Sequence, residues 1–204
     1  MMKEQQSTSL AALVCEQLDQ AAAPIRSTGA MVICGFPASG KSSAARWLAA
    51  GMGAVVLDKD TLAPALEESV MTRLTGDPFD RDSDTYREVV APGIYDSLIR
   101  TGLTVATHHP VVLDAPFLST MRAAGAAGLP LGVFMRQHTE AEADLPVVTV
   151  WIDSPTEQVR QRMIARGSAR DAPKLADWTG YRSGVLDSGV RELARTVCDL
   201  VIEN

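Results

Sequence analysis

The stretch Gly35-Phe36-Pro37-Ala38-Ser39-Gly40-Lys41-Ser42 decides the fold. It fits the pattern G-x-x-x-x-G-K-[ST], and each position has a physical task. Gly35 and Gly40 let the backbone bend around an anion without a Cβ in the way, so that successive N–H groups point at phosphate oxygens. Pro37, Ala38, Ser39 and Ser43 complete the segment expected to wrap the phosphates. Lys41 places a cation against the outer phosphates, and the Ser42 hydroxyl is a ligand suited to Mg²⁺. Before the loop runs Met31-Val32-Ile33-Cys34, the short apolar run of a buried parallel strand. After it, residues 42–50 are rich in helix formers and are closed by Gly51. Strand, loop and helix come in the order that also turns the helix dipole toward the anion. A chance glycine turn before an ordinary helix is the bland alternative; the order of the three elements favours a nucleotide-phosphate site.

The 204 residues suffice for one well-buried domain spanning 1–204, and 46% hydrophobic with 22% charged residues is ordinary for a globular protein. A net charge of -6 argues against a general nucleic-acid surface, although not against a local basic pocket. Cys15, Cys34 and Cys198 are odd in number, far apart and in no C-x-x-C pair, which suggests three thiols in a reducing compartment. No apolar run approaches membrane-spanning length. After Lys3 and Glu4, the run from Leu10 to Cys15 is too short, and too soon followed by Glu16, for a signal peptide. The expected location is cytoplasmic, with no membrane partner. Nothing in the sequence bears on oligomeric state.

Leu10, Leu13, Val14 and Leu18 recur at helical spacing, so residues 8–22 are expected to form an amphipathic helix that Pro24 ends. It is expected to pack on the outside of the core, or else to bind a partner. Ala54 to Leu57 reads as a second buried strand delivering Asp58-Lys59-Asp60 to the sheet edge where ligands bind. By spacing alone Asp60 is equally a catalytic acid or the cap of the next helix, since Asp60-Thr61 precede Leu62 and Pro64. Residues 61–109 form a long excursion, either an acceptor-binding flap or a plain helical crossover. Within it Leu62 to Leu74 is expected to be helical. The aspartate loop 76–84 is no calcium site, because Thr85 and Ala91 stand where Gly and Glu are needed. Thr85 to Glu88 reads as a capping box whose helix Pro92-Gly93 should kink or break before Ile94 to Arg100. Arg73, Arg81, Tyr86, Arg87 and Tyr95 offer the excursion's polar contacts to an acceptor.

Val111-Val112-Leu113-Asp114 is a third strand ending in a carboxylate, either a second magnesium acid beside Ser42 or a helix cap. His108 and His109 have no third ligand at metal spacing and read as loop residues, as does His138. Pro146 to Ile152 is a fourth strand, and Ser154 to Glu157 a further capping box. Arg160 to Arg170 then holds four arginines and no acid in an acidic chain. Arg162, Arg166 and Arg170 step by four and would share one face of a continuing helix. They form either a solvated basic stripe or a lid over 162–180 whose guanidinium groups fork phosphoryl oxygens. Leu186, Val190, Leu193 and Val197 give a last helix, and Leu200-Val201-Ile202 a fifth strand.

GFPASGKS at 35–42, LDKDTL at 57–62, VVLDAPF at 111–117 and RMIARGSARD at 162–171 together resemble a P-loop kinase of the adenylate-kinase-like group. The likeness is nearest the branch with chloramphenicol phosphotransferase, zeta-toxin-like kinases and the kinase domain of polynucleotide kinase. It implies an α/β P-loop NTPase three-layer sandwich with a five-stranded parallel sheet in order 2-3-1-4-5, a helical substrate-binding insertion and an arginine-rich lid. It also implies ATP with Mg²⁺, the metal held by Ser42 and Asp114. An Asp after the second strand would accept the proton of a substrate hydroxyl, Asp60 matching best and Asp58 second. Arg162 would lie near the adenine or the phosphates, and Arg166 and Arg170 near the transferring group. Leu62 stands where polynucleotide kinase has an Arg, which weakens a polynucleotide acceptor.

The expected function is ATP-dependent transfer of a phosphoryl group to a hydroxyl of a small molecule, with Lys41, Asp60, Arg166 and Arg170 catalytic. Two rivals are an NTPase switch that hydrolyses ATP without a phosphorylated product and a nucleotide-binding regulatory module. No N-K-x-D motif is present to read guanine.

Overall fold

The computed structural model describes residues 10–81 and 83–204. Lys3 and Glu4, the first two residues of the helix expected over 8–22, and Asp82 of the aspartate loop lie outside the described residues. In chain order the elements are α1 (Ala12–Ala21), β1 (Gly29–Cys34), α2 (Lys41–Met52), β2 (Val55–Asp58), α3 (Lys59–Leu62) and α4 (Pro64–Thr75). A π-helical turn at Tyr86–Val90 runs into α5 (Ala91–Ala106), followed by β3 (Pro110–Asp114), α6 (Leu118–Ala126), α7 (Leu131–Thr139) and β4 (Val147–Asp153). The chain closes with α8 (Thr156–Arg166), α9 (Ala172–Ala176), α10 (Trp178–Tyr181), α11 (Val190–Val197) and β5 (Leu200–Glu203).

The five strands pair in parallel in the order β2-β3-β1-β4-β5, as expected. All of β1 is buried because helices cover both faces of the sheet. Its side chains alternate: Ala30, Val32 and Cys34 enter the core shared with α5, α6, α7 and α11, whereas Met31 and Ile33 enter the core shared with α1 and α2. Leu18, fully buried, anchors α1 to the outside of the sheet, a burial that contributes about 1.5–3 kcal/mol. The helical insertion has its own small core of Met71, Tyr86, Val90 and Ile94.

Several local expectations are corrected. The second strand is not buried: β2 is an edge strand, and Val55 and Val56 are 42% and 36% exposed. Gly51 lies within α2, which ends two residues later at the left-handed Gly53. The helix expected from Leu62 starts as α4 at Pro64, because a proline drives the residue before it, Ala63, out of helical geometry. Ser83, not Thr85, caps the next helix, its Oγ accepting the Tyr86 N–H at 3.1 Å. Pro92 does not break that helix. The wider turn at Tyr86–Val90, where the Ala91 N–H reaches the Tyr86 carbonyl, absorbs the proline, and α5 continues to Ala106. His138 belongs to the last turn of α7, not to a loop. Arg170 does not continue the face of Arg162 and Arg166, because α8 ends at Gly167 with φ 58°. A 3₁₀ turn at Ala169–Asp171 redirects the chain there.

Candidate active site

Strand register brings the acids together. Asp58 pairs across from Asp114, and Asp114 from Ile33, so all three stand at the carboxyl edge of the sheet where the glycine loop leaves β1. Gly40, at φ 104°, opens α2; a Cβ there would lie 2.3 Å from the Asn204 amide nitrogen. Lys41 is 7% exposed and its Nζ donates to the Phe36 carbonyl at 2.8 Å. Burial lowers its pKa; Arg166 adds to that, while Asp114 and Asp60 oppose it. The Ser42 hydroxyl lies near the buried Asp114 carboxyl and favours its ionised form. Burial raises the pKa of Asp114, Lys41 and Ser42 pull it back, and Asp58 and Asp60 push it further up. Asp114 caps no helix, since α6 begins only at Leu118 without a side-chain cap. A buried carboxylate beside a hydroxyl, disfavoured as an anion until a cation arrives, is a donor set that fits Mg²⁺.

Asp58, not Asp60, is the cap of α3: its carboxylate accepts the Asp60 N–H at 2.6 Å. That leaves the Asp60 side chain for other partners. Its Oδ2 lies 2.6 Å from Arg170 Nη1 and its Oδ1 3.3 Å from Lys59 Nζ. Burial pushes the Asp60 carboxyl up, but Lys59 and Arg170 outweigh it and hold it below the usual carboxylate range. Arg166 forks the buried Asp171, with Nε and Nη2 each 2.8 Å from a carboxylate oxygen. Arg162 turns back onto the glycine loop, where Nη1 donates to the Ser39 carbonyl at 3.2 Å and to Ser154 Oγ at 3.0 Å. The arginines are thus distributed: Arg162 on the loop, Arg166 on Asp171, and Arg170 on Asp60.

Sequence reasoning missed several residues around this site. Ser154, read as a cap, instead lies against the loop, its Oγ 3.0 Å from the Ser39 carbonyl and 2.7 Å from the Asn204 carbonyl. The Asn204 amide donates to the same Ser39 oxygen at 2.8 Å. Arg191 binds Asp153 Oδ1 at 2.9 Å and the Ser154 carbonyl at 2.8 Å, with its guanidinium 5.0 Å over the Phe36 ring. Phe36 in turn meets Trp151 edge-on at 5.0 Å. The apolar run ending at Asp153 has the same form as the one ending at Asp114 and was a readable signal. Arg191 gave none. Of the polar residues offered for an acceptor, Arg81 and Tyr86 meet on Glu67, and Tyr95 stacks edge-on against Phe117 at 5.5 Å. Arg73 is exposed in the last turn of α4, and Arg87 pairs with Asp84 on the surface.

A glycine loop joining β1 to α2 in a 2-3-1-4-5 parallel sheet, with a buried lysine and a strand-end acid behind it, defines a P-loop nucleotide-binding protein of the kinase-type fold. The family model described as AAA domain matches residues 31–182, and the chain belongs to that family. Among solved structures, the chain is similar to a sugar kinase from Janibacter sp. HTCC2649, at 18% identity and a TM-score of 0.48, covering 86% of this chain and 85% of that one. A gluconokinase from Sinorhizobium meliloti 1021 is 19% identical at a TM-score of 0.44, over 86% and 82% of the two chains. A shikimate kinase from Acinetobacter baumannii, in complex with shikimate, is 18% identical at 0.44, over 89% and 86%. No curated protein matches the chain. Among the described residues no helix is long and apolar enough to cross a membrane.

Proposed function

We propose that the chain is an ATP-dependent, Mg²⁺-dependent phosphotransferase that moves the γ-phosphoryl group to a hydroxyl of a small molecule, near the chloramphenicol phosphotransferase branch of P-loop kinases. One observation carries this reading. Asp60, held ionised and not consumed as a helix cap, stands at the same sheet edge as Lys41 and Asp114 with a lid arginine on it. A switch that only hydrolyses ATP has no need of a carboxylate placed between an acceptor insertion and a lid.

Phosphoryl transfer spreads charge over the oxygens of the moving group, so positioning and electrostatics supply most of the rate. The loop N–H groups and Lys41 hold the phosphates. Ser42 and Asp114 would hold Mg²⁺, which would neutralise phosphate charge. Arg162 braces the loop from the side of Ser39 and reaches toward the nucleotide. Asp60 orients the acceptor hydroxyl and takes its proton. For that, Arg170 leaves Asp60 and follows the negative charge onto the transferring group, with Arg166 beside it. Closure of the lid keeps out water, the competing acceptor.

A metabolite-library screen for ADP release, with mass-spectrometric detection of products, tests the proposal. A phosphorylated metabolite whose formation needs Asp60 supports it. ADP release with inorganic phosphate as the sole product across the library would favour the hydrolytic switch instead.

A further inference from the structure

Behind Asp60 lies a polar cluster that the reaction described above does not use. Glu67 on α4 is 2% exposed, and its carboxylate takes three donors: Lys59 Nζ at 3.2 Å, Tyr86 Oη at 2.5 Å and Arg81 Nη2 at 2.9 Å. Lys59 is 8% exposed, and its ammonium has three partners, Glu67, the Tyr86 hydroxyl at 2.9 Å and Asp60 Oδ1 at 3.3 Å. The ammonium also sits 5.6 Å from the centre of the Tyr86 ring. The charges alternate without a gap: Arg81, Glu67, Lys59, Asp60 and Arg170, running from the helical insertion to the lid.

A buried carboxylate with two cations costs folding energy, and replacing such a cluster with apolar packing is often stabilising. Its presence next to the proposed base needs another reason. Asp60 sits on a helix of four residues, too short to fix a side chain by itself, and that side chain is 46% exposed. One of its oxygens faces Arg170, which must let go when an acceptor enters. The other faces Lys59, whose own position is set by the buried Glu67.

We infer that Lys59 and Glu67 are positioning residues for phosphoryl transfer: Glu67 holds Lys59, and Lys59 pins Asp60 Oδ1 so that Oδ2 is presented to the acceptor hydroxyl. Tyr86 and Arg81 tie the same carboxylate to the insertion, so the base is oriented by the segment that surrounds the acceptor. The inference rests on Asp60 being the base.

The test uses the full chain with ATP, Mg²⁺ and a metabolite pool and reads the rate at which a phosphate ester forms; a parent protein that forms no ester refutes the proposed function, not the positioning role alone. Binding of a fluorescent ATP analogue and thermal unfolding are measured alongside. Lys59→Met is expected to slow turnover by about tenfold or more, part of what a positioned base contributes, with nucleotide affinity unchanged. Lys59→Arg is expected to restore most of the rate. Glu67→Gln is expected to slow turnover as well, but to add nothing in the Lys59→Met background, since a residue acting through another shows no separate effect once that other is gone. If Lys59→Met does not fold, Lys59→Gln keeps a donor for Glu67 and Tyr86 and takes its place. Normal turnover in the folded Lys59 variant, or additive losses in the double variant, overturns the inference. Asp60→Asn separates the two claims: if it is slow while Lys59→Met is normal, only the positioning role fails, and if it turns over normally, the base assignment fails and the positioning role with it.

Discussion

Asp60, in α3 just after β2, and Arg170, in the 3₁₀ turn after α8, meet at 2.6 Å. The pair joins the carboxylate proposed as the base to a guanidinium proposed to bind the phosphoryl group. Each neutralises the other at a half-exposed position, where such a pair contributes little to stability. Under the proposed function the pair would exchange partners: an acceptor would take the carboxylate, and the phosphoryl group the guanidinium.

Asp60→Asn is therefore expected to reduce phosphoryl transfer by about 10²–10⁴-fold, the range of a positioned general base, while nucleotide affinity stays within a few-fold. Steady-state kinetics beside equilibrium nucleotide binding checks this. The pH dependence follows from the depressed pKa of Asp60. The folded chain binds this proton more weakly than the unfolded one, so the contribution to stability is present above the ordinary carboxylate value and is lost as pH falls through the lower folded value. The acid limb of kcat/KM, which reports the free enzyme with Arg170 still on Asp60, should likewise lie below the usual carboxylate range.

Asp114 has the opposite sign. Its pKa is raised, chiefly by burial, so the folded chain binds this proton more tightly. Stability then falls as pH rises from the ordinary carboxylate value to the raised one, and stays lower above it. Asp114→Asn should unfold at higher temperature than the parent at neutral pH, by about 2–4 °C for each kcal/mol regained. It should also lose Mg²⁺-dependent turnover. Calorimetry without nucleotide or metal, paired with an activity assay, reads both.

Gly40 cannot carry a side chain. At φ 104°, with the Asn204 amide 2.3 Å from where a Cβ would stand, Gly40→Ala forces either the loop or the Asn204 side chain to move. The expected outcome is a folded protein that has lost most nucleotide affinity, measured by titration with a fluorescent ATP analogue.

Arg191→Met removes the partner of a mostly buried Asp153, whose side chain is 13% exposed, and is expected to cost about 3–5 kcal/mol. Because Arg191 also covers the Phe36 ring, the variant should bind ATP more weakly even at temperatures where it is fully folded. Denaturant unfolding and nucleotide titration separate the two effects.

The glycine loop, the strands and the strand-end acids were legible in the sequence because each is a local pattern: a turn residue, an apolar run, a carboxylate. The family likeness then supplied the order in which the strands pair. Less legible was whatever depends on where distant segments meet. Nothing in the spacing of Asp58-Lys59-Asp60 tells which acid caps the helix; that followed only once the Asp60 N–H was seen on Asp58. Ser154 looked like a cap, yet its hydroxyl is taken by the loop 115 residues upstream. Pro92 looked like a kink or a break, and a π turn is the remedy, which no propensity scale announces. The Glu67 cluster was invisible for the same reason, its members being up to 27 positions apart in the chain.

The most direct measurement uses ATP carrying heavy oxygen in its γ-phosphoryl group, incubated with the protein, Mg²⁺ and a metabolite pool, followed by mass spectrometry. The label is predicted on a phosphate ester of a small hydroxyl compound in the parent protein and absent from that ester in Asp60→Asn. Label recovered entirely as inorganic phosphate, in step with ADP and equally in both proteins, would contradict the assignment of a kinase.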